Sequence, residues 1–333
     1  MEEAERKHVM IKSKTKYNAT NVEIVRIFAA NHMPPIRDVE RLGNGEFNAA
    51  FKVSTEDKEY VVKIAPPRDS KVLTYENSMM ESEVYWYEQI REKTEIHVPK
   101  VYAFDFSEKI IPACYFIMEK MDGKPLWEMG FSETEYAKVQ EQKIYMLTQI
   151  HRIHNNVFGY RQTGLHNSWY EAIRGMVFNL IRDCEAMGRE TSNGHKLLMA
   201  IDQHEERLRD CECCMVNFDL WDSNVLYHNG KLCWIDPERS FWGDRIADFI
   251  TLGKGQKSPL FDKLAEIEIY NRTAETPIIY NKNMEIRYQV AVGYLALIEE
   301  VEKYVRYEPG EENYIRNTVD AEAMFEMAFG VLL

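Results

Sequence analysis

The stretch Val216-Asn-Phe-Asp219-Leu-Trp-Asp-Ser-Asn224-Val-Leu-Tyr-His-Asn-Gly230-Lys-Leu-Cys-Trp-Ile-Asp236 decides how this chain is read. Asn229-Gly230 between two apolar runs is a two-residue hairpin signal, because both residues tolerate the positive φ of a type I′ turn. Pairing outward from that turn sets Leu226 opposite Cys233 and Asn224 opposite Ile235. Asn224 and Asp236 then arrive at the same open end of the hairpin. Asp219 lies on the loop that feeds the first strand.

Asn and Asp side chains offer hard oxygen ligands of the kind Mg²⁺ takes. Asp219, set apart from that pair, can accept a proton from an attacking hydroxyl. The layout Asp-x-x-x-x-Asn, a hairpin and a second Asp is the one that phosphoryl transfer requires. Read alone, each residue has a plainer role as a turn former or a solvated side chain. The joint spacing carries the reading.

Upstream, the period changes to that of strands. Val39–Leu42, Ala49–Val53 and Tyr60–Ile64 alternate around Gly43-Asn-Gly45-Glu-Phe-Asn48 and a polar turn at Ser54–Lys58, which predicts three antiparallel strands. Gly43 and Gly45 would let backbone N–H groups approach phosphate oxygens closely. Lys63, inside the apolar strand Tyr60–Ile64, is the candidate partner of those phosphates. A helix over Ser78–Glu92 supplies a carboxylate to anchor that lysine, either Glu81 or Glu83. Val84 and Tyr85 lie three and four residues after Glu81, so Glu81 is expected on the core-facing side. Pro99–Phe106 and Ala113–Met118 read as two more strands.

Helices frame the rest. Thr20-x-x-Glu23 and Ser132-x-x-Glu135 are capping boxes at helix starts. After the second, Tyr136, Val139, Lys143, Leu147, Ile150 and His154 keep helical spacing. Trp169–Met187, Gly194–Arg209 and Asn283–Tyr304 repeat the pattern. Residues 1–17 are charged and aperiodic. A sheet-rich first part and a helix-rich second part predict an α+β protein of two domains, 1–119 with an N-terminal helical extension and 120–333, with a seam near 119–123.

The chain has 333 residues, 41 basic and 54 acidic, for a net charge of −13. That balance argues against nucleic acid or an anionic membrane as partner, since both call for a basic field. It suits a cationic small substrate. The start Met1-Glu2-Glu3 is acidic, and no apolar core of signal length follows. The longest apolar run, Val290–Ile298, is far below the roughly 18 residues of a membrane span. Six cysteines, with Cys211, Cys213 and Cys214 nearly adjacent, read as reduced thiols in a cytoplasmic protein rather than a disulfide framework. The trio lacks the partners of a metal site. His151 and His154 read as core or surface residues.

Together these residues resemble the aminoglycoside phosphotransferase / choline kinase-like family, a branch of the protein-kinase-like fold. The resemblance runs from about Ile36 to Leu252. Phe218–Leu226 is similar to that family's catalytic loop. Trp234–Glu238 with Gly243-Asp244-Arg245 and Asp248 is similar to its metal-binding and closing motif. Gly45-Glu-Phe-Asn48 followed by Lys63 is similar to its nucleotide loop and phosphate lysine. Ile117–Gly123 is similar to the hinge, where the backbone around Glu119 and Met121 would hold adenine. Ile150-His151 and Phe158-Gly159-Tyr160 match a segment common in bacterial members.

The resemblance implies a bilobal protein-kinase-like fold, with a small antiparallel-sheet N-lobe and a larger helical C-lobe. It implies Asp219 as catalytic base, Asn224 and Asp236 as Mg²⁺ ligands, and Gly43, Gly45, Asn48, Lys63, Glu81, Glu119 and Met121 around ATP, with GTP left open. The expected function is an ATP- and Mg²⁺-dependent O-phosphotransferase acting on a small hydroxylated molecule, an aminoglycoside-like amino sugar first, in a monomer or homodimer. An aminoglycoside acceptor would make the chain an antibiotic-resistance enzyme. Macrolides, amino alcohols, homoserine-like metabolites and glycated amines are the alternative acceptors. Acidic residues that could meet an ammonium group are Asp222, Glu238, Glu299, Glu300 and Glu302. One departure is Asn217, where the family usually has His. It leaves a catalytically silent nucleotide-binding protein as the other alternative. No Asp-Phe-Gly, Ala-Pro-Glu or activation loop is present, which argues against a regulated protein kinase.

Overall fold

A computed structural model describes residues 16–43, 47–252 and 263–333. They form two compact units. One comprises the described residues up to Lys71 together with Pro99–Met121, and the other Val72–Val98 together with the described residues of Asp122–Leu333. The segment carrying Glu81 and Glu83 thus groups with the second unit.

In the first unit, helix α1 (Asn21–Ala30) starts at the expected capping box. Thr20 Oγ1 accepts the Glu23 N–H at 3.3 Å, and the Glu23 carboxylate accepts the Thr20 N–H at 2.8 Å. Such a cap stabilises by about 1 kcal/mol. Burial of Ile24, Ile27 and Phe28 gives about 1.5–3 kcal/mol each, so packing holds the helix and the cap sets its start. The helix stops at Ala30, before Pro34-Pro35. Asn31 closes it, donating through Nδ2 to Ile27 O at 2.8 Å and to Tyr115 Oη at 2.7 Å.

The strands β1 (Asp38–Leu42), β2 (Ala49–Ser54), β3 (Glu59–Ile64), β4 (Val101–Asp105) and β5 (Tyr115–Glu119) make one antiparallel sheet in the order β1-β2-β3-β5-β4. Phe51, Val53, Tyr60, Val62 and Ile64 share a core with the apolar face of α1. Because side chains alternate along a strand, Lys63 projects from the opposite face to Val62 and Ile64.

The second unit holds α2 (Met79–Lys93), β6 (Lys124–Pro125), α3 (Glu133–Ile150), α4 (Trp169–Ala186), α5 (Ser192–Gln203), α6 (Glu205–Arg209), β7 (Cys214–Val216), β8 (Val225–His228), β9 (Lys231–Trp234), β10 (Phe241–Gly243), α7 (Lys263–Asn271), α8 (Lys282–Arg306) and α9 (Glu312–Leu332). α3 begins at its capping box but ends at Ile150, so His154 is not helical and instead bridges to Cys214. Val290–Ile298 lies in α8 and is buried throughout, the mark of a helix packed on all sides. The short strands β6, β7 and β10 and the helices α7 and α9 carry no clear sequence signal. Among the described residues no helix is long and apolar enough to cross a membrane. The six cysteines are free thiols, and no group of three or more His, Cys, Asp or Glu among the described residues could hold a metal ion.

Candidate active site

The hairpin forms in the expected register. Asn229 and Gly230 have φ of 49° and 83°, and Leu226 faces Cys233. Beyond the paired strands, Ile235 N–H donates to Asn224 O at 3.0 Å. Asn224 and Asp236 therefore both lie at the open end, where β8 begins and β9 finishes.

The loop between β7 and β8 is held by side chains. Four consecutive backbone N–H groups have side-chain acceptors: Asn217 N–H on Asp248 Oδ2 at 3.1 Å, Phe218 N–H on Asp248 Oδ1 at 2.7 Å, Asp219 N–H on Asn217 Oδ1 at 3.2 Å and Leu220 N–H on Thr251 Oγ1 at 3.3 Å. Asp248 is in turn 3.0 Å from His151 Nε2, and His151 Nδ1 is 3.0 Å from the Tyr270 hydroxyl. His151 is thus a buried brace. Asn217 supports the loop through its own amide oxygen. Phe218 sits at φ 58°, a left-handed conformation that costs a non-glycine residue about 1–3 kcal/mol. Asp248 and ring contacts to Phe241 and Tyr294 hold it there.

Asp219 is almost fully buried. Its Oδ1 accepts the Trp221 indole N–H, and its Oδ2 accepts Asn224 Nδ2–H at 2.9 Å. An ionised carboxylate can only accept, so the amide nitrogen of Asn224 faces Asp219, and Oδ1, which accepts from Ser223 Oγ at 3.5 Å, keeps a lone pair to offer a cation. Burial pushes the Asp219 carboxyl up to about 7. The Arg239 guanidinium opposes that shift, while the charges of Glu238 and Asp236 add to it. Asp236 has φ 57° and ψ 55°, and its N–H donates to the Tyr87 hydroxyl at 2.9 Å.

Mg²⁺ fits this donor set. One or two carboxylates and an amide oxygen, completed by phosphate and water oxygens, is how Mg²⁺ is bound, in contrast to a dedicated all-protein cage. Three acidic groups, Asp219, Asp236 and Glu238, interact closely enough to raise the Asp219 carboxyl. A cation held by Asn224 and Asp236 would oppose that shift.

Two of the acidic residues considered for an ammonium group already have cations within the chain. Asp222 Oδ1 accepts from Lys143 Nζ at 2.8 Å, and Asp222 Oδ2 from the Tyr136 hydroxyl at 3.0 Å. Glu302 Oε1 accepts from Arg239 at 2.8 Å and from Arg306 at 3.3 Å, and the Tyr75 hydroxyl also donates to it. Arg306 reaches on to Glu76. Lys143 and Arg239 are functional-site neighbours that the sequence reading missed. Lys143 read only as one position of a helical pattern, and Arg239 directly follows the motif that ends at Glu238.

The other expected site residues lie as follows. Lys63 is buried in β3, opposite Ala50 and Phe116, with Nζ 5.8 Å from the Phe116 ring centroid. Asn48 is buried just before β2. A Cβ on Gly43 would meet nothing within 4 Å, so its surroundings do not demand glycine. Gly45 lies outside the described residues. Glu119 ends β5, its N–H donating to Lys100 O at 2.8 Å, and Met121 follows two residues later. Glu81 needs correction. It is exposed, whereas Glu83 is fully buried. The inner face of α2 is set by Glu83, Tyr87 and Ile90 at helical spacing, and Tyr85, used to orient Glu81, is only half-buried.

A model of the phosphotransferase enzyme family matches residues 38–267. No curated protein sequence matches the chain. Among solved structures, a candidate aminoglycoside phosphotransferase from Ralstonia eutropha JMP134 superposes with a TM-score of 0.67 at 17% identity, covering 94% of this chain and 98% of that one. A candidate fructosamine-3-kinase from Haemophilus somnus 129PT gives 0.66 at 16% identity, covering 90% and 96%. A thermostable mutant of the aminoglycoside phosphotransferase APH(4)-Ia, in ternary complex with ADP and hygromycin B, gives 0.60 at 17% identity, covering 94% and 98%. These likenesses establish a protein-kinase-like fold, with an antiparallel sheet in the N-terminal region and helices in the C-terminal region. With more than half of its length matched by the family model, the chain belongs to the phosphotransferase enzyme family.

Proposed function

We propose that this chain is an ATP- and Mg²⁺-dependent O-phosphotransferase that moves the γ-phosphate to a hydroxyl of a small molecule. The observation that carries the reading is the braced loop. Asp219 is held by Trp221 and Asn224, its own backbone by Asn217, and Asn224 and Asp236 close the same hairpin mouth. Asp219 is the group that orients the acceptor hydroxyl and takes its proton. Asn224 Oδ1 and Asp236 are the residues that would hold Mg²⁺, which neutralises charge on the transferred phosphoryl group. Lys63 is assigned to the nucleotide phosphates, and the backbone at Glu119 and Met121 to adenine. Fixed dipoles cost no reorganisation when charge develops, and this favours a loop whose N–H groups are already bound.

The acceptor is proposed as an amino sugar or a glycated amine. Structural likeness to both kinds of kinase and the charge of −13 support a cationic acceptor. Glu238, whose charge adds to the upward shift of the Asp219 carboxyl, is proposed as a contact for the acceptor's ammonium group. The hydrogen bond from Asp219 N–H to Asn217 Oδ1 supports an active enzyme over a silent protein, since Asn217 braces the loop at the position where the family usually has His. The test is nucleoside-diphosphate release across a panel of amino sugars, glycated amines and neutral metabolites, with Asp219→Ala alongside. Turnover of a confirmed acceptor by Asp219→Ala at the wild-type rate would refute the mechanism. Turnover of neutral acceptors alone would refute the substrate class.

A further inference from the structure

The turn that carries Asp236 is gripped at both ends by parts of its own unit that lie far away in sequence. At its first residue, the Tyr87 hydroxyl of α2 accepts the Asp236 N–H at 2.9 Å. Tyr87 is 1% exposed, so water cannot take over that bond. At its last residue, Arg239 Nη2 donates to Glu302 of α8 at 2.8 Å. Glu302 is shared with Arg306, which reaches Glu76 just ahead of α2. α2 is therefore tied to the turn directly through Tyr87 and indirectly through this buried ion chain. Trp86, next to Tyr87, packs edge-on against Trp242 with ring centroids 4.9 Å apart.

Asp236 needs such a grip. Its left-handed backbone carries a steric cost for a residue with a side chain, and the proline that follows narrows its choices further. If the residue relaxed to an extended conformation, the direction of its carboxylate would change. We propose that Tyr87 is a positioning residue for the Asp236 carboxylate, so that α2 works as a fixed strut of the catalytic unit and sets how tightly the metal–nucleotide pair is held. This rests on the function proposed above, because it takes Asp236 as a metal ligand. The tyrosine hydroxyl stays protonated in this role, since burial and then the charges of Glu83 and Asp236 push it well above its ordinary range.

The test uses the full chain, with Mn²⁺ as a paramagnetic probe in the presence of ADP. Tyr87→Phe keeps the ring and removes the acceptor. Tyr85→Phe, on the same helix, is the control. Free Mn²⁺ is followed by electron paramagnetic resonance, and amide exchange over residues 234–240 by mass spectrometry. Loss of one buried hydrogen bond at a strained residue should weaken Mn²⁺·ADP binding by about tenfold in Tyr87→Phe and speed amide exchange over that segment by a similar factor. Tyr85→Phe should match the wild type in both. Faster exchange with unchanged Mn²⁺ affinity, or no change in either, overturns the proposal. Absence of Mn²⁺·ADP binding in the wild-type chain overturns the functional reading itself, and is seen before any variant is made.

Discussion

Lys143 is the sharpest place to perturb the loop without touching Asp219. Its side chain is fully buried, and its ammonium donates to Asp222 Oδ1 at 2.8 Å and to Leu252 O at 2.7 Å. Burial pulls its pKa below the ordinary lysine value, with Asp222 holding it up. Lys143→Met fills similar volume but leaves the Asp222 carboxylate buried with only the Tyr136 hydroxyl. Removing one partner of a buried pair costs about 3–5 kcal/mol, because the remaining charge has nothing to balance it. Neutralising both partners, in Lys143→Met with Asp222→Asn, removes that penalty, and Gln140 Nε2 at 3.4 Å from Leu252 O remains as a donor there. The double variant should therefore lose only about 1–2 kcal/mol, less than the single one. Urea unfolding of wild type, both single variants and the double variant, followed by tryptophan fluorescence, measures the coupling. A Lys143→Met loss below about 1 kcal/mol, or a double variant less stable than Lys143→Met, would show that the pair does not anchor the loop.

Asp219→Ala should lower turnover by about 10²–10⁴-fold while nucleotide binding, read by thermal stabilisation, stays near wild type. Asn217→Ala leaves the Asp219 N–H without its acceptor and should reduce kcat by about 10- to 100-fold, with KM for the nucleotide little changed in steady-state assays. Gly123 has φ 123°, and a Cβ there would meet Tyr227 O at 2.8 Å. Gly123→Ala should therefore destabilise the second unit by about 1–3 kcal/mol, visible as a lower melting temperature.

The parts of this molecule legible in its sequence are those governed by short-range rules. The Asn229-Gly230 turn fixed the register of β8 and β9, and through it the arrival of Asn224 and Asp236 at one end of the hairpin. Two capping boxes marked α1 and α3. What stayed hidden depends on partners far along the chain. Glu81 and Glu83 differ in burial because Tyr87 and Ile90 set the inner face of α2, and one helix turn does not reveal which face is covered. Tyr87 lies 149 residues before Asp236, and only the fold brings its hydroxyl to the Asp236 N–H. α9 buries Asn317, Ala321, Phe325, Ala328 and Leu332 while Ile315, Val319 and Met327 are exposed, so its apolar residues do not mark one side. Arg239 and Lys143 are charged residues at buried positions, which no hydrophobic pattern can announce.

The ion chain beside α2 also has a meaning in time. Tyr75 and Glu302 are 227 residues apart, and Glu76 and Arg306 are 230. On a ribosome adding about 5–20 residues per second, α2 would wait roughly 10–50 s for α8 to be made. The five strands of the first unit are complete once Glu119 has been synthesised. During that interval the Glu76 carboxylate, just ahead of α2, lacks its Arg306 guanidinium. The order of synthesis therefore sets the order of closure. The sheet can close first, and the strut beneath the reactive loop locks only when almost the entire chain has emerged.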